Sequence, residues 1–426
     1  MNKTTILNLI SSYHNFGVTI MDFNHSKKTQ GYIERVKAFM DEHIYPVEEQ
    51  IYAQTHELNP GGDWKNWQAH PLIEPLKKKA QEAGLWNLFM PDAELGQGLT
   101  TLEYAPLAEQ MGRVLFASEI FNCNAPDTGN MEVLYHFGNE YQQKKWLKPL
   151  LAGEIRSVFG MTEPDVASSD ATNMQATVEL DGDELVLNGK KWWTTGLGHP
   201  NAKIAIFMAL SNPENDKHSQ HSMVVVPLDA PGIKITRMLQ AFGDYDAPFG
   251  HGEMHFTNVR VPKENLLVGM GKGFAIAQGR LGPGRIHHCM RAIGGAEKAL
   301  ELAMQRGMSR TAFGKPLMML GGNRERVAEA RIAIEQARLL TLQAAWKIDN
   351  VGVKNAMVDI SAIKVAVPKM LEEVVDMAIQ IHGGAGMCND FPLARLAAGA
   401  RALRLADGPD EVHKGMVARL ELKKYQ

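Results

Sequence analysis

Residues 176–187 read Ala-Thr-Val-Glu-Leu-Asp-Gly-Asp-Glu-Leu-Val-Leu, and this stretch decides the fold. Two β-favouring runs flank Asp181-Gly-Asp183, a turn sequence, so the stretch predicts a β-hairpin. Working outward, 202–209, 221–227, 233–236 and 252–261 are further short runs rich in Val, Ile, Phe and Met. Short strands separated by turns predict a small antiparallel β-barrel or sandwich of about 100 residues. The character changes near Ile155 and again after Pro262. On the N-terminal side, apolar residues recur at helical spacing over 32–51, 72–84, 102–111, 132–137 and 141–151. On the C-terminal side, 274–306, 324–349 and 356–381 are long amphipathic segments, followed by 392–403 and 410–422. Such segments with short breaks predict an antiparallel helical bundle, kinked at Pro368. The expected α+β chain thus has an N-terminal extension (1–21), a helical domain (22–155), a β domain (156–265) and a bundle (266–426). Residues 125–130 carry turn chemistry, either as a plain connection or as a pocket lining.

Composition narrows the function classes. The 426 residues are 45% hydrophobic and 22% charged with net charge −3, which argues against a nucleic-acid-binding surface. Cys123, Cys289 and Cys388 are far apart, so neither a disulfide framework nor a zinc site is expected, and a reducing, cytoplasmic setting fits. No run reads as a membrane span. The first twenty residues make a poor signal peptide and read as a dispensable extension.

The most informative chemistry lies in 380–413. Gln-Ile-His-Gly-Gly-Ala-Gly leads to a short basic helix and then to Arg404-Leu-Ala-Asp-Gly-Pro-Asp-Glu-Val-His413. Gly383, Gly384 and Gly386 permit close backbone approach or positive φ. Asp407 precedes Gly408-Pro409, where Pro409 suits the first helical position and Asp410 and Glu411 a first turn. A carboxylate held in such a turn can serve as a general base; a plain turn or cap carboxylate is the alternative. Upstream, Phe159-Gly-Met-Thr-Glu-Pro-Asp-Val-Ala-Ser-Ser-Asp170 offers Thr162, Ser168 and Ser169 hydroxyls, and Lys191-Trp-Trp-Thr-Thr-Gly196 offers flat walls and further hydroxyls. A flavin ring needs donors along one edge, which such segments can supply; a polar loop and core tryptophans are the alternatives.

Together with Arg310-Thr-Ala-Phe-Gly-Lys315, these segments, in this order, resemble the acyl-CoA dehydrogenase family from about Met21 onward. Thr162–Asp170, Leu281-Gly-Pro-Gly-Arg-Ile-His-His-Cys-Met290 and 404–413 are most similar to the branch of family members ten and eleven, here without a preceding kinase-like segment. The resemblance implies FAD, an acyl-CoA thioester substrate, an electron-transfer flavoprotein as acceptor, and a dimer or tetramer. It implies that Phe159, Met161, Thr162, Ser168 and Ser169 line the flavin, with Ser169 also near substrate, and that Trp193, Thr194 and Thr195 cover the ring. Arg310, Phe313, Gln380, Ile381, His382, Gly383 and Gly384 would contact the dinucleotide, largely one held by a neighbouring subunit. Gly282, Arg285 and Gly408 would meet substrate; Pro409, Asp410 and Glu411 would return to the flavin. Asp407 falls where many members carry a glutamate base. Three other readings stand beside this one: an acyl-CoA oxidase, an inactive acyl-CoA-binding protein, and a di-iron bundle built on Asp410-Glu-Val-His413. The last needs a second matching motif, and only Asp22 to His25 has similar spacing.

Overall fold

The computed structural model describes residues 24–426; the expected extension and Asp22 lie outside them. The N-terminal part is helical: α1 (Lys27–Phe39), α2 (Glu48–Leu58), α3 (Ile73–Glu82), α4 (Thr101–Gly112), α5 (Ala117–Ile120), α6 (Asp127–Phe137), α7 (Glu140–Gln142) and α8 (Lys148–Ala152). The single helix expected over 32–51 is instead α1 and α2 joined by a π turn and a 3₁₀ turn, Tyr45–Val47. Pro46 explains the break, since it supplies no backbone N–H. Residues 125–130 are not a plain loop: Pro126 is the N-cap of α6, and Asp127 to Asn130 form its first turn. Residues that favour turns also favour helix starts, so the sequence signal was ambiguous.

Seven strands follow: β1 (Arg156–Gly160), β2 (Thr177–Asp181), β3 (Glu184–Thr195), β4 (Ala202–Leu210), β5 (His221–Pro227), β6 (Ile233–Leu239) and β7 (His251–Pro262). They form one sheet ordered β1-β4-β2-β3-β7-β6, with β5 also paired to β4. The expected hairpin is β2–β3, closed at Asp181↔Glu184. Most pairings are antiparallel, but β1, a strand not read from the sequence, runs parallel to β4, as does β2 at Thr177↔Leu210. Strand β3 shifts register against β7 between Lys191 and Thr194, which sets Trp193 at φ 50°.

The bundle comprises α9 (Gly273–Ser309), a small hairpin β8 (Thr311–Ala312) and β9 (Lys315–Pro316), α10 (Asn323–Val351), α11 (Met357–His382), α12 (Leu393–Leu403) and α13 (Asp410–Leu422). Helix α9 packs on α11 and on α4, tying the two helical parts into one core. The α4–α9 crossing is backbone against backbone. A Cβ on Gly112 would sit 2.2 Å from the Arg291 carbonyl oxygen, and one on Gly294 2.0 Å from that of Glu109. Pro368 does not interrupt α11, which stays helical across it with Val367 and Pro368 buried. Among the described residues no helix is long and apolar enough to cross a membrane.

Candidate active site

Asp407 lies in the turn between α12 and α13, at φ 55°, followed by Gly408 at φ 101°. Left-handed backbone at a non-glycine residue persists only where its surroundings hold it. Here Lys364 of α11, itself buried, donates from Nζ to the Leu403 and Ala406 carbonyls at 2.6 and 2.9 Å. The Asp407 carbonyl accepts from Arg285 Nη2 at 3.3 Å and from His413 Nε2 at 3.1 Å. Arg404 bonds Asp410 Oδ2 at 2.8 Å and Glu372 at 2.7 Å, stapling the start of α13 to α11. Pro409 is the N-cap of α13 rather than its first helical residue. A Cβ on Gly408 would come 2.9 Å from His413 Nε2, so glycine is needed there for space as well as for φ. A trans peptide sets its N–H opposite its C=O. By gripping the Ala406 carbonyl, Lys364 therefore fixes the direction of the Asp407 N–H.

The Asp407 side chain is 25% exposed, and its Oδ2 lies 3.3 Å from His288 Nε2. Burial pushes its carboxyl up, but the charges of Arg280, Lys364 and Arg285, with His288 alongside, pull it down further, leaving it below the usual carboxylate range. Asp407 is therefore ionised at neutral pH. Burial, together with Arg291, holds His288 down to about 3, so its imidazole is neutral. Burial also lowers His413, to about 4.

Arg280 of α9 links this turn to the sheet. Its guanidinium lies 4.0 Å from the Phe159 ring centre, and its Nε donates to Asn130 Oδ1 at 3.3 Å. Asn130 in turn donates to Ser157 Oγ at 2.9 Å, joining the start of α6 to β1. One turn along α6, burial holds Glu132 up to about 8, and its Oε2 has no hydrogen-bond partner.

The segment after β1 is pinned by an internal ion pair. Lys191 of β3, fully buried, donates to Glu163 Oε1 at 2.7 Å and to the Met161 carbonyl at 3.0 Å. Glu163 also accepts the N–H groups of Gln175 and Ala176. The Thr162 carbonyl accepts from Trp192 N at 3.0 Å, and Ser168 Oγ accepts from Glu163 N at 2.9 Å. Phe159, Met161, Thr162, Ser168 and Ser169 are thereby held beside β3, where Trp193 is 41% exposed. Thr194 Oγ1 is buried with no partner, while Thr195 Oγ1 is 3.0 Å from His251 Nδ1. An orphaned hydroxyl beside an uncovered indole fits a flat ring that accepts hydrogen bonds.

The remaining expected residues divide into groups. Arg285, Gly408, Pro409 and Asp410 gather at the Asp407 turn; Glu411 is exposed on the first turn of α13. Gly282 packs against Val353, where a Cβ would meet Cγ1 at 2.7 Å. Arg310 and Phe313 are placed elsewhere: Arg310 caps the end of α9, and Phe313 lies in the β8–β9 turn, 95% exposed. Gln380, Ile381 and His382 end α11, with Gly383 at φ 62° and Gly384 after it; His382 Nε2 is buried and unpartnered. Arg280, Arg291, Lys364 and the Lys191–Glu163 pair were not read from the sequence. The spacing of Arg280, Gly284, His288 and Arg291 on one helical face was the available signal for part of this set.

The chain matches the acyl-CoA dehydrogenase N-terminal, middle and C-terminal domains over residues 26–154, 158–259 and 271–422. It belongs to the acyl-CoA dehydrogenase family, FAD-dependent oxidoreductases. It is 51% identical over 405 residues to the probable acyl-CoA dehydrogenase FadE2 of Mycobacterium tuberculosis, covering 95% of this chain and 98% of that protein. It is 52% identical to acyl-CoA dehydrogenase family member 11 of Gallus gallus over 94% of this chain but 51% of that protein. This chain thus spans about half the length of such curated relatives, and 36% of family member 10 of Mus musculus. A putative acyl-CoA dehydrogenase from Mycobacterium abscessus has the same fold, with a TM-score of 0.92 at 59% identity, covering 95% of this chain and 100% of that one.

Proposed function

We propose that this chain oxidises an acyl-CoA thioester to its trans-2-enoyl-CoA, with Asp407 as the base that takes the α-proton. The observation that carries this reading is an ionised carboxylate held at φ 55° between two helices and ringed by Arg280, Arg285 and Lys364. A thioester carbonyl acidifies the adjacent C–H, and a fixed carboxylate within reach removes that proton. The Asp407 N–H, aimed by Lys364, donates to the thioester oxygen as negative charge develops there. Arg285 secures the Asp407 carbonyl from behind. FAD, when bound, supplies the hydride acceptor. Phe159, Met161, Thr162, Ser168, Ser169, Trp193, Thr194 and Thr195 would hold its ring, with Pro409, Asp410 and Glu411 beside it. Arg310, Phe313 and 380–384 would hold the dinucleotide of a second copy, and the 95% exposure of Phe313 supports such a homo-oligomer. The electrons then go to an electron-transfer flavoprotein, as in fatty-acid β-oxidation.

The test is anaerobic stopped flow with a panel of acyl-CoA thioesters. Asp407→Asn should bind FAD as the wild type does, yet its flavin should be reduced about 10²–10⁴-fold more slowly. Wild-type reduction by Asp407→Asn would remove Asp407 from the reaction. Protein that neither carries nor accepts FAD would remove the reading altogether.

A further inference from the structure

The face of α9 turned toward the Asp407 turn carries an imidazole neighbour of the carboxylate, His288. Its surroundings decide which proton it bears. Arg291 Nη2 lies 3.2 Å from His288 Nδ1, and Arg291 Nη1 donates to the Cys123 carbonyl at 3.2 Å. A guanidinium only donates, so Nδ1 must be the acceptor. The imidazole then has one place left for its proton, Nε2, the atom 3.3 Å from Asp407 Oδ2, an approach not yet closed into a hydrogen bond. Hydrogen bonds in ligand-free sites are often long and tighten when substrate closes the site.

We propose that His288, locked as the Nε2–H tautomer by Arg291, is the positioning residue of the base, holding Asp407 Oδ2 so that Oδ1 receives the substrate proton. This rests on the reading of Asp407 as the base. An aspartate is one methylene shorter than the glutamate many relatives use, so a small swing of its carboxylate misplaces the accepting oxygen. The other charges around Asp407 come from several elements: Arg280 and Arg285 on α9 and Lys364 on α11, with neutral His413 on α13. These guanidinium and ammonium groups hold the carboxylate charged without selecting one oxygen. His288 selects. Donation to Oδ2 persists after Oδ1 is protonated, so the proton moves from the substrate Cα to Oδ1 and none leaves His288.

The experiment compares His288→Leu with His288→Gln in the FAD-loaded protein. Flavin reduction by acyl-CoA is followed anaerobically across pH, with substrate protiated or deuterated at Cα. A glutamine places an N–H donor close to the position of Nε2, whereas leucine has none. His288→Leu should slow reduction by about 10-fold or more, as a misplaced base does. It should also move the acid limb of the rate upward by about one unit, the shift expected when one hydrogen bond to a carboxylate is lost. Its α-deuterium isotope effect should rise, with acyl-CoA binding unchanged, and His288→Gln should restore most of the rate. Should His288→Leu not fold, Arg291→Met, which frees Nδ1 to take the proton, should shift rate and limb in the same direction by less. Equal impairment by leucine and glutamine, or an unmoved acid limb, would overturn the proposal. Asp407→Asn run alongside separates the two ideas: if it too reduces normally, the base assignment is what has failed.

Discussion

Removing the ammonium of Lys191 tests how the 161–176 segment is held. Lys191 is fully buried and Glu163 is 3% exposed, so Lys191→Met leaves a carboxylate without its counter-charge in the interior. Breaking a buried pair in this way generally costs about 3–5 kcal/mol. Two features of the structure bear on the figure. Glu163 keeps the N–H groups of Gln175 and Ala176, at 2.7 and 3.0 Å, which pulls toward the lower end. The Met161 carbonyl loses its 3.0 Å donor, which adds about 1–3 kcal/mol if it stays dry. A net loss of about 3–5 kcal/mol follows, concentrated on the 161–176 segment. The double variant Lys191→Met/Glu163→Gln has no uncompensated charge and should recover about 1–3 kcal/mol of it, a coupling of the size adjacent groups show. Denaturant unfolding of the four proteins gives the cycle, and a fluorescence titration gives FAD affinity, which should weaken in Lys191→Met and partly return in the double variant. A loss under about 1 kcal/mol, the worth of a surface ion pair, would refute the argument, as would strictly additive single effects.

Other outcomes follow from single sites. Glu132, raised to about 8 by burial, favours the folded state while protonated: its contribution is complete below the ordinary carboxyl value of about 4.3 and is lost as pH rises through about 8. Stability should therefore fall by up to about 1.4 kcal/mol per pH unit between about pH 5 and 8 on account of this group, and Glu132→Gln should flatten that decline in pH-dependent denaturation. Parallel curves for the two proteins would contradict it. Gly294→Ala should lower the melting temperature through about 1–3 kcal/mol or more of overpacking at the α4–α9 crossing. Gly31→Ala, with open space around it on α1, should instead be neutral or gain about 0.5–1 kcal/mol. Phe313→Ala should leave chain stability unchanged but weaken both subunit association and FAD binding, read by sedimentation and flavin titration; unchanged values of both would exclude the hairpin from a shared site.

Much of the architecture was legible because long amphipathic segments and a turn such as Asp181-Gly-Asp183 are local signals. Helix α13 starts and ends where periodicity placed it, and the β2–β3 hairpin closes on the expected turn. Strand β1 was not legible, since its five residues owe their state to a distant partner, Phe159 pairing with Ile206 of β4. The same holds at the site. Asp407 announces itself through Gly408-Pro409, a local pattern. Lys364 and the Lys191–Glu163 pair are charged residues made internal by tertiary packing, and nothing in their own neighbourhoods distinguishes them from surface residues.

The Gly112–Gly294 crossing has a further consequence for how this chain can change. Three residues before Gly294 lies Arg291, and the stretch of α9 preceding it carries His288, Arg285 and Arg280. Because α4 and α9 already touch through their main chains, their separation is a fixed dimension with no clearance on either side. Change along this seam then falls to side-chain exchange alone, and the α9 groups gathered around the Asp407 carboxylate keep their spacing.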